Sequence, residues 1–194
     1  MKIGVIALQG DFREHVGILK KLGVETVEVR MPSDLKDVKG LIIPGGESTT
    51  IGKLMVKYEL DKAIKEMTKK GMAVYGTCAG AILLAKEIIG NRQFCLGLID
   101  ISVERNAYGR QIDSFEAELE IKGLGKFNAV FIRAPIIKEI RNGVEILAKH
   151  GNEPVLLRKG KILVSTFHPE LTDDARVHNY FVGMIKDLKN LKSK

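Results

Sequence analysis

Residues 76–80 read Gly76-Thr77-Cys78-Ala79-Gly80, with the apolar run MAVYG leading in and AILLAKE leading out. A nucleophile with glycine two positions away on each side, set between a strand and a helix, has the form of a nucleophile elbow. The chemistry this form serves is attack on an acyl or amide carbon through a covalent intermediate. The glycines leave room for a sharp, strained turn. The start of the following helix offers a dipole and free N–H groups that favour a thiolate, and the Ala79 N–H would point where an oxyanion develops. Glycine and alanine are also common where a helix packs closely on a strand, and cysteine is among the most buried residue types. On this stretch alone Cys78 reads equally as a nucleophile or as a packing residue. Cys95, in RQFCLGL, has no such frame and reads as structural.

A cysteine nucleophile needs a base, and the base needs an orienting group. Of the histidines, His15 falls in the first helical segment and His178 in the last, both on faces expected to be exposed. His150 sits beside the Gly151-Asn152 turn between two strands. His168 differs, because it ends the apolar strand KILVSTF and opens His168-Pro169-Glu170. Proline keeps this segment out of a helix, so an extended chain would put positions 168 and 170 on one side. Glu170 would then hold the imidazole in the tautomer that accepts a thiol proton. An ordinary strand-end turn with an exposed glutamate is the other reading. A third part would be an oxyanion hole. Strand LIIP leads into Gly45-Gly46-Glu47-Ser48, whose glycines let backbone N–H groups approach a ligand. A plain Gly-Gly turn capped by Ser48 fits equally well. No Gly-Lys-Ser/Thr follows, which excludes a Walker-type phosphate loop, and no Cys/His cluster has metal-ligand spacing. With a Gly-Gly loop before it and a His-Pro-Glu after it, Cys78 reads as a nucleophile. Gly76 and Gly80 are then expected to clear space around an exposed thiolate.

These residues must be held by elements, and the first half alternates strand and helix signals. Strands are expected at 2–8, 24–30, 40–46 and 72–76. Helices are expected at 11–23, with Asp11 near the start and Gly23 at the end, over STTIGKLMVKY and LDKAIKEMTKKG, and at 79–87. The short SDLKDV segment has Ser33 available to cap its first turn. This order implies a mostly parallel sheet with helices on both faces, which binds ligands at the carboxyl ends of its strands. ALQG (7–10), IPGGES (43–48) and YGTCAG (75–80) all follow strands. The second half is β-rich, from ISVERNAYGRQ to KILVSTF, and suggests antiparallel strands added to the sheet or flanking it. A final helix is expected at 173–191. No repeat or linker interrupts the chain, so 1–194 reads as one domain.

Composition excludes other classes. A formal charge of +7 arises from lysines and arginines spread among 24 acidic residues, with no long basic block. That pattern suits a solvated surface, with an acidic partner surface or phosphorylated ligand as the lesser alternative, and gives no nucleic-acid footprint. No run of eighteen apolar residues occurs, so no membrane span is expected. MKIGVIALQGDF has too short an apolar part for a signal peptide and reads as a first strand. Two cysteines make no disulfide framework, which favours a reducing, cytoplasmic setting.

Taken in order, PGGES, GTCAG and FHPEL resemble the class I (triad-type) glutamine amidotransferases, over essentially the whole chain. ALQGDFREH (7–15), IPGGEST (43–49), VERNAYGRQ (103–111) and FIRAP (131–135) look like the glutaminase subunits of pyridoxal phosphate synthase in particular. The resemblance implies a three-layer, flavodoxin-like α/β fold. It implies Cys78 as nucleophile, His168 as base and Glu170 as its partner, with Gly46 and Ala79 forming the oxyanion hole. L-glutamine would be held by Gly46, Glu47 and Ser48, by Arg105, and by Ile132 and Arg133, the last through side chain or backbone. It also implies ammonia delivery to a separate (β/α)8-barrel synthase subunit, and no cofactor on the glutaminase itself. Gln9 is expected to touch either the oxyanion loop or the partner. The glutaminase of another amidotransferase, such as that of imidazole glycerol phosphate synthase, would share the triad but lack ALQGDF and VERNAYGRQ. A non-catalytic member of the wider group would lack the triad itself.

Overall fold

The computed structural model describes residues 1–105 and 114–191, with side chains through 186. The first half runs β1 (Lys2–Ile6), α1 (Phe12–Lys21), β2 (Glu25–Val29), a 3-10 turn (Pro32–Leu35), β3 (Val38–Ile43), α2 (Ser48–Lys57), α3 (Leu60–Lys69), β4 (Ala73–Thr77) and α4 (Ala79–Leu84). The second half runs β5 (Ala85–Ile88), β6 (Ile99–Glu104), β7 (Ser114–Ile121), β8 (Gly125–Ile132), β9 (Ile136–Ile140), β10 (Glu145–His150), β11 (Glu153–Lys159), β12 (Ile162–Ser165), a second 3-10 turn (Pro169–Leu171) and α5 (Arg176–Leu191).

Seven strands form the main sheet in the order β10-β11-β12-β4-β3-β1-β2. The pairs from β12 to β2 are parallel, and β10 and β11 continue the sheet antiparallel. Strands buried on both faces read as nearly continuous apolar runs, as VKGLII and AVYGT do. Successive side chains point to opposite faces. Leu41, Ile43, Val74 and Val164 therefore join one core with α2, α3 and α4, while Ile42, Tyr75 and Leu163 join another with α1 and α5. The β7–β8 hairpin closes over the second core through Leu119, Phe127 and Phe131. A three-stranded sheet, β5-β6-β9, flanks the first.

β1 lies between β2 and β3, so the chain leaves it in both directions and opens a crevice at the carboxyl edge. Register brings the loops there together. Ile43 and Val164 both pair with Gly76, so the segments that follow β3, β4 and β12 emerge side by side.

Several local expectations are corrected. The helix expected at 79–87 ends at Leu84, where Ala85 turns extended at φ −58° and ψ 155°. Residues 85–88 pair with β6 instead, because tertiary pairing overrides the helix propensity of Ala85, Lys86 and Glu87. Ser33 makes no side-chain cap. Asp34 accepts from the N–H groups of Arg30 and Met31, both at 2.9 Å. His168-Pro169-Glu170 is not extended, since proline starts a 3-10 turn, where its missing N–H costs nothing. The last helix begins at Arg176 rather than 173. Of VERNAYGRQ, residues 106–111 lie outside the described residues.

Candidate active site

Cys78 lies between β4 and α4 at φ +46° and ψ −101°. A side chain at positive φ is strained by about 1–3 kcal/mol and persists only where its surroundings force it. Here they do. The Cys78 N–H donates to the Ser165 carbonyl at 2.9 Å. A Cβ on Gly76 would lie 2.5 Å from the Gly80 carbonyl carbon, and one on Gly80 would lie 2.0 Å from the Ile43 carbonyl oxygen. The two glycines thus let backbone meet backbone, locking the elbow against β3. They do not clear space for an exposed thiolate, because Cys78 is only 7% exposed. Its Sγ lies 3.8 Å from the Ile132 carbonyl oxygen.

His168 is buried, and its N–H is anchored to the Val130 carbonyl of β8 at 2.8 Å. Its Nδ1 donates to Glu170 Oε1 at 2.8 Å, while Nε2 meets no hydrogen-bond partner. With Nδ1 so engaged, Nε2 is the nitrogen left for a thiol proton. Burial pushes the His168 imidazolium down, but the Cys78 sulfur and the Glu170 carboxylate outweigh it and raise the pKa to about 10. Burial also opposes the Glu170 carboxylate. His15 and His168 overcome this and hold it well below the usual carboxylate range.

The Gly-Gly loop stands over this pair. Gly10 leaves no room for a Cβ, which would fall 1.8 Å from the Gly45 carbonyl oxygen, and that oxygen accepts from the Asp11 N–H at 3.1 Å. In a trans peptide the Gly46 N–H then points the opposite way. Gln9 Oε1 accepts from the Glu47 N–H at 2.8 Å, so Gln9 contacts the Gly-Gly loop. Glu47, rather than Ser48, caps α2, accepting from the N–H groups of Thr49 and Thr50 at 3.1 and 2.6 Å. Partial burial opposes that charge, yet the Thr50 and Thr49 hydrogen bonds bring the Glu47 pKa to about 2.

A cavity of about 400 Å³ joins these parts. It brings together Cys78, Ala79, His168, Gly46, Glu47, Ser48, Arg105, Ile132 and Arg133, with Glu170 behind His168. Arg105 pairs with Glu47 at 3.2 Å, and also bonds Thr49 Oγ1 at 3.0 Å and Gln93 Oε1. Arg133 takes φ +42°, which turns the chain at the cavity wall. Cys95 stands apart, its thiol pushed up by burial and bonded to the Lys86 carbonyl.

Four participants escaped the sequence analysis. Gln93 ties Arg105 to Ser48 and Thr49. Asp11 Oδ2 lies 3.6 Å from His168 Nδ1. His15 and His178, expected on exposed faces, are both fully buried behind Glu170. Their signal was helical spacing, since His15 precedes Ile18 and Leu19, and His178 precedes Phe181 and Val182. Asp11, His168 and Glu170 bring metal-ligand atoms within 4.8 Å of one another, but His168 and Glu170 already spend theirs on each other.

Fold and geometry together give a class, the class I glutamine amidotransferases. Comparison with known proteins narrows it: the model of the SNO glutamine amidotransferase family matches residues 5–187, and the chain belongs to that family. A relative from Thermus thermophilus named pyridoxal 5'-phosphate synthase subunit PdxT is 57% identical over 94% of this chain and 96% of its own. One of the same name from Thermosipho africanus is 55% identical over 96% and 100%. A solved structure titled as a glutamine amidotransferase superposes with a TM-score of 0.92 at 54% identity, over 95% of this chain and 98% of its own.

Proposed function

We propose that this protein is the glutaminase subunit of a pyridoxal 5'-phosphate synthase. It hydrolyses L-glutamine to L-glutamate and ammonia, and passes the ammonia to a (β/α)8-barrel synthase subunit that builds pyridoxal 5'-phosphate from a pentose phosphate and a triose phosphate. The relatives of that name, matched over nearly full length, support the pathway. The observation that carries the chemistry is the His168 Nδ1 to Glu170 bond, which leaves the buried Nε2 for Cys78.

In this reading the Cys78 thiol gives its proton to His168 Nε2, and the sulfur attacks the side-chain amide carbon of glutamine. The resulting oxyanion is met by the N–H groups of Ala79 and Gly46. The Glu47 N–H is not available, because Gln9 holds it. As the tetrahedral centre collapses, the C–N bond breaks and the imidazolium protonates the departing nitrogen, releasing ammonia. An imidazolium stabilised up to about pH 10 keeps that proton at hand. Water, deprotonated by the neutral His168, then hydrolyses the thioester to glutamate and restores the thiol.

Glutamine carries an α-ammonium and an α-carboxylate, and the cavity mouth carries a matching pair, Glu47 and Arg105. Arg105 clamps the carboxylate, Glu47 takes the ammonium, and Ser48 and the Ile132-Arg133 backbone line the side chain. The Ile132 carbonyl lies close to the sulfur, which supports a backbone role there. The Gly45-Gly46 peptide is the switch that completes the oxyanion hole when the barrel subunit docks. No cofactor is needed, and a reducing cytoplasmic setting suits the two free thiols. The test is ammonia release from glutamine, with and without the barrel subunit. Cys78→Ala is expected to abolish release and leave the unfolding transition in place. Hydrolysis retained by that variant would sink the assignment.

A further inference from the structure

Behind the carboxylate of Glu170 lies a buried polar chain that the reaction scheme does not use. His15 Nε2 is 3.5 Å from Glu170 Oε1 and 3.2 Å from Thr77 Oγ1. His15 Nδ1 is 2.9 Å from His178 Nε2, and His178 Nδ1 has no hydrogen-bond partner. Both histidines are fully buried, so the chain joins α1, α5, the end of β4 and the second 3-10 turn out of reach of water.

Proton counting fixes its direction. The bond between the two histidines holds one proton. Were it on His15 Nδ1, His178 would have to carry its own proton on Nδ1, leaving a buried N–H with no acceptor, which is rarer than an under-used acceptor. With the proton on His178 Nε2, the unpartnered Nδ1 is only a bare acceptor. His15 Nδ1 then accepts, and the His15 proton sits on Nε2, facing Glu170 and Thr77. Burial pushes the His178 pKa down to about 3, which keeps that imidazole neutral.

We propose that His15 and His178 are positioning residues for the reaction at Cys78, a one-way donor chain from His178 through His15 that holds the Glu170 carboxylate charged and aimed at His168. His15 touches both the carboxylate and Thr77, the residue before the nucleophile, so it also ties the triad's acid to its elbow. The groups facing Glu170 are His168 on its own turn, His15 from α1, Asp11 from the loop before α1, His178 from α5 and Tyr75 from β4. Of these, His168 and His15 each bring a ring nitrogen to Glu170 Oε1, at 2.8 and 3.5 Å.

This inference rests on the glutaminase reading, and its test separates the two. Ammonia release is measured on the full chain with its barrel subunit, as a function of pH, for wild type, His15→Leu and His15→Gln. His15→Leu removes the donor at Nε2. It is expected to lower kcat about 10–100-fold, by analogy with removal of a group that orients a metal-ligating side chain, with KM for glutamine unchanged. The acid limb of kcat/KM should move up by about 1 unit or more, as Glu170 loses its neighbour. His15→Gln keeps an N–H near the Nε2 position and should recover most of the rate and the wild-type limb. A merely structural histidine pair would cost stability but leave the limb in place, and that result overturns the proposal. So does His15→Gln falling as far as His15→Leu. If His15→Leu does not fold, ¹⁵N NMR of histidine-labelled wild type decides. Nε2–H tautomers at both His15 and His178 near neutral pH uphold the donor chain, and an Nδ1–H tautomer at either overturns it. Wild type that releases no ammonia even with the barrel subunit would defeat the glutaminase reading, while the NMR result still judges the donor chain.

Discussion

Replacing Gly45 by alanine should disable the enzyme without unfolding it. Gly45 is not among the residues at positive φ, so its backbone accepts a side chain. The space does not. A Cβ there would lie 2.4 Å from His168 Cε1 and 2.9 Å from His168 Nδ1, where ordinary contact begins at 3.4 Å. The clash needs about 1 Å of relief, and there are two routes to it. The imidazole can swing, breaking its 2.8 Å bond to Glu170, or the loop can lift, carrying with it the Gly46 N–H, the proposed oxyanion donor. Either misplaces a reacting group by about 1 Å, which costs roughly 100-fold in rate, or about 2.7 kcal/mol of barrier. The packing penalty of one added methyl is about 1–3 kcal/mol, which a folded domain survives. The assay is the initial rate of glutamate formation from glutamine in the presence of the barrel subunit, paired with a urea unfolding midpoint. A Gly45→Ala enzyme with kcat/KM within about threefold of wild type would refute the argument that this glycine exists to admit His168.

Other positions give sharper contrasts. Gly80→Ala puts a Cβ 2.0 Å from the Ile43 carbonyl oxygen, backbone that cannot swing aside. It should cost about 3 kcal/mol or more, or abolish soluble expression. Gly17→Ala, in α1 with nothing within 4 Å of its Cβ, should stabilise by about 0.5–1 kcal/mol in the same denaturation assay. Arg105→Lys loses the planar fork while keeping the charge. KM for glutamine should rise about tenfold or more with kcat little changed, and an unchanged KM would remove Arg105 from the substrate clamp. His178 has a folded pKa of about 3 against 6.5 in the unfolded chain. The unfolded state therefore binds the extra proton first, and stability falls as pH drops from about 6.5 toward 3. His178→Gln should remove about 2 kcal/mol of the loss that wild type suffers between pH 6.5 and 4.5, read as urea midpoints across that range.

Much of the fold was legible because it depends on local pattern. Apolar runs of strand length between helix-period segments gave the order of β1 to α4, and that order implies a parallel sheet with its site at the carboxyl edge. What misled was local pattern with more than one outcome. AILLAKE suits a helix, yet its last residues pair with β6. SDLKDV offers two capping residues, and Asp34 wins over Ser33. Proline at 169 forbids a helix interior but welcomes a helix start, so the His-Pro-Glu segment curls instead of extending. His168 and Glu170 still meet, because a tight turn also brings residues two apart together.

By itself the sequence determined which chemistry is available. A cysteine framed by glycines after one strand, a Gly-Gly loop after another, and a histidine two residues from a glutamate after a third are each written in a few consecutive residues. Only the tertiary structure decided what those residues are made to do. Burial of His15 and His178, the Gln93–Arg105–Glu47 knot at the cavity mouth, and the pinning of the Gly45 carbonyl by Asp11 join segments far apart in the chain. Desolvation and charge proximity, which set the state of His168 and Glu170, depend on three-dimensional neighbours. They come into being only when the sheet aligns its carboxyl ends.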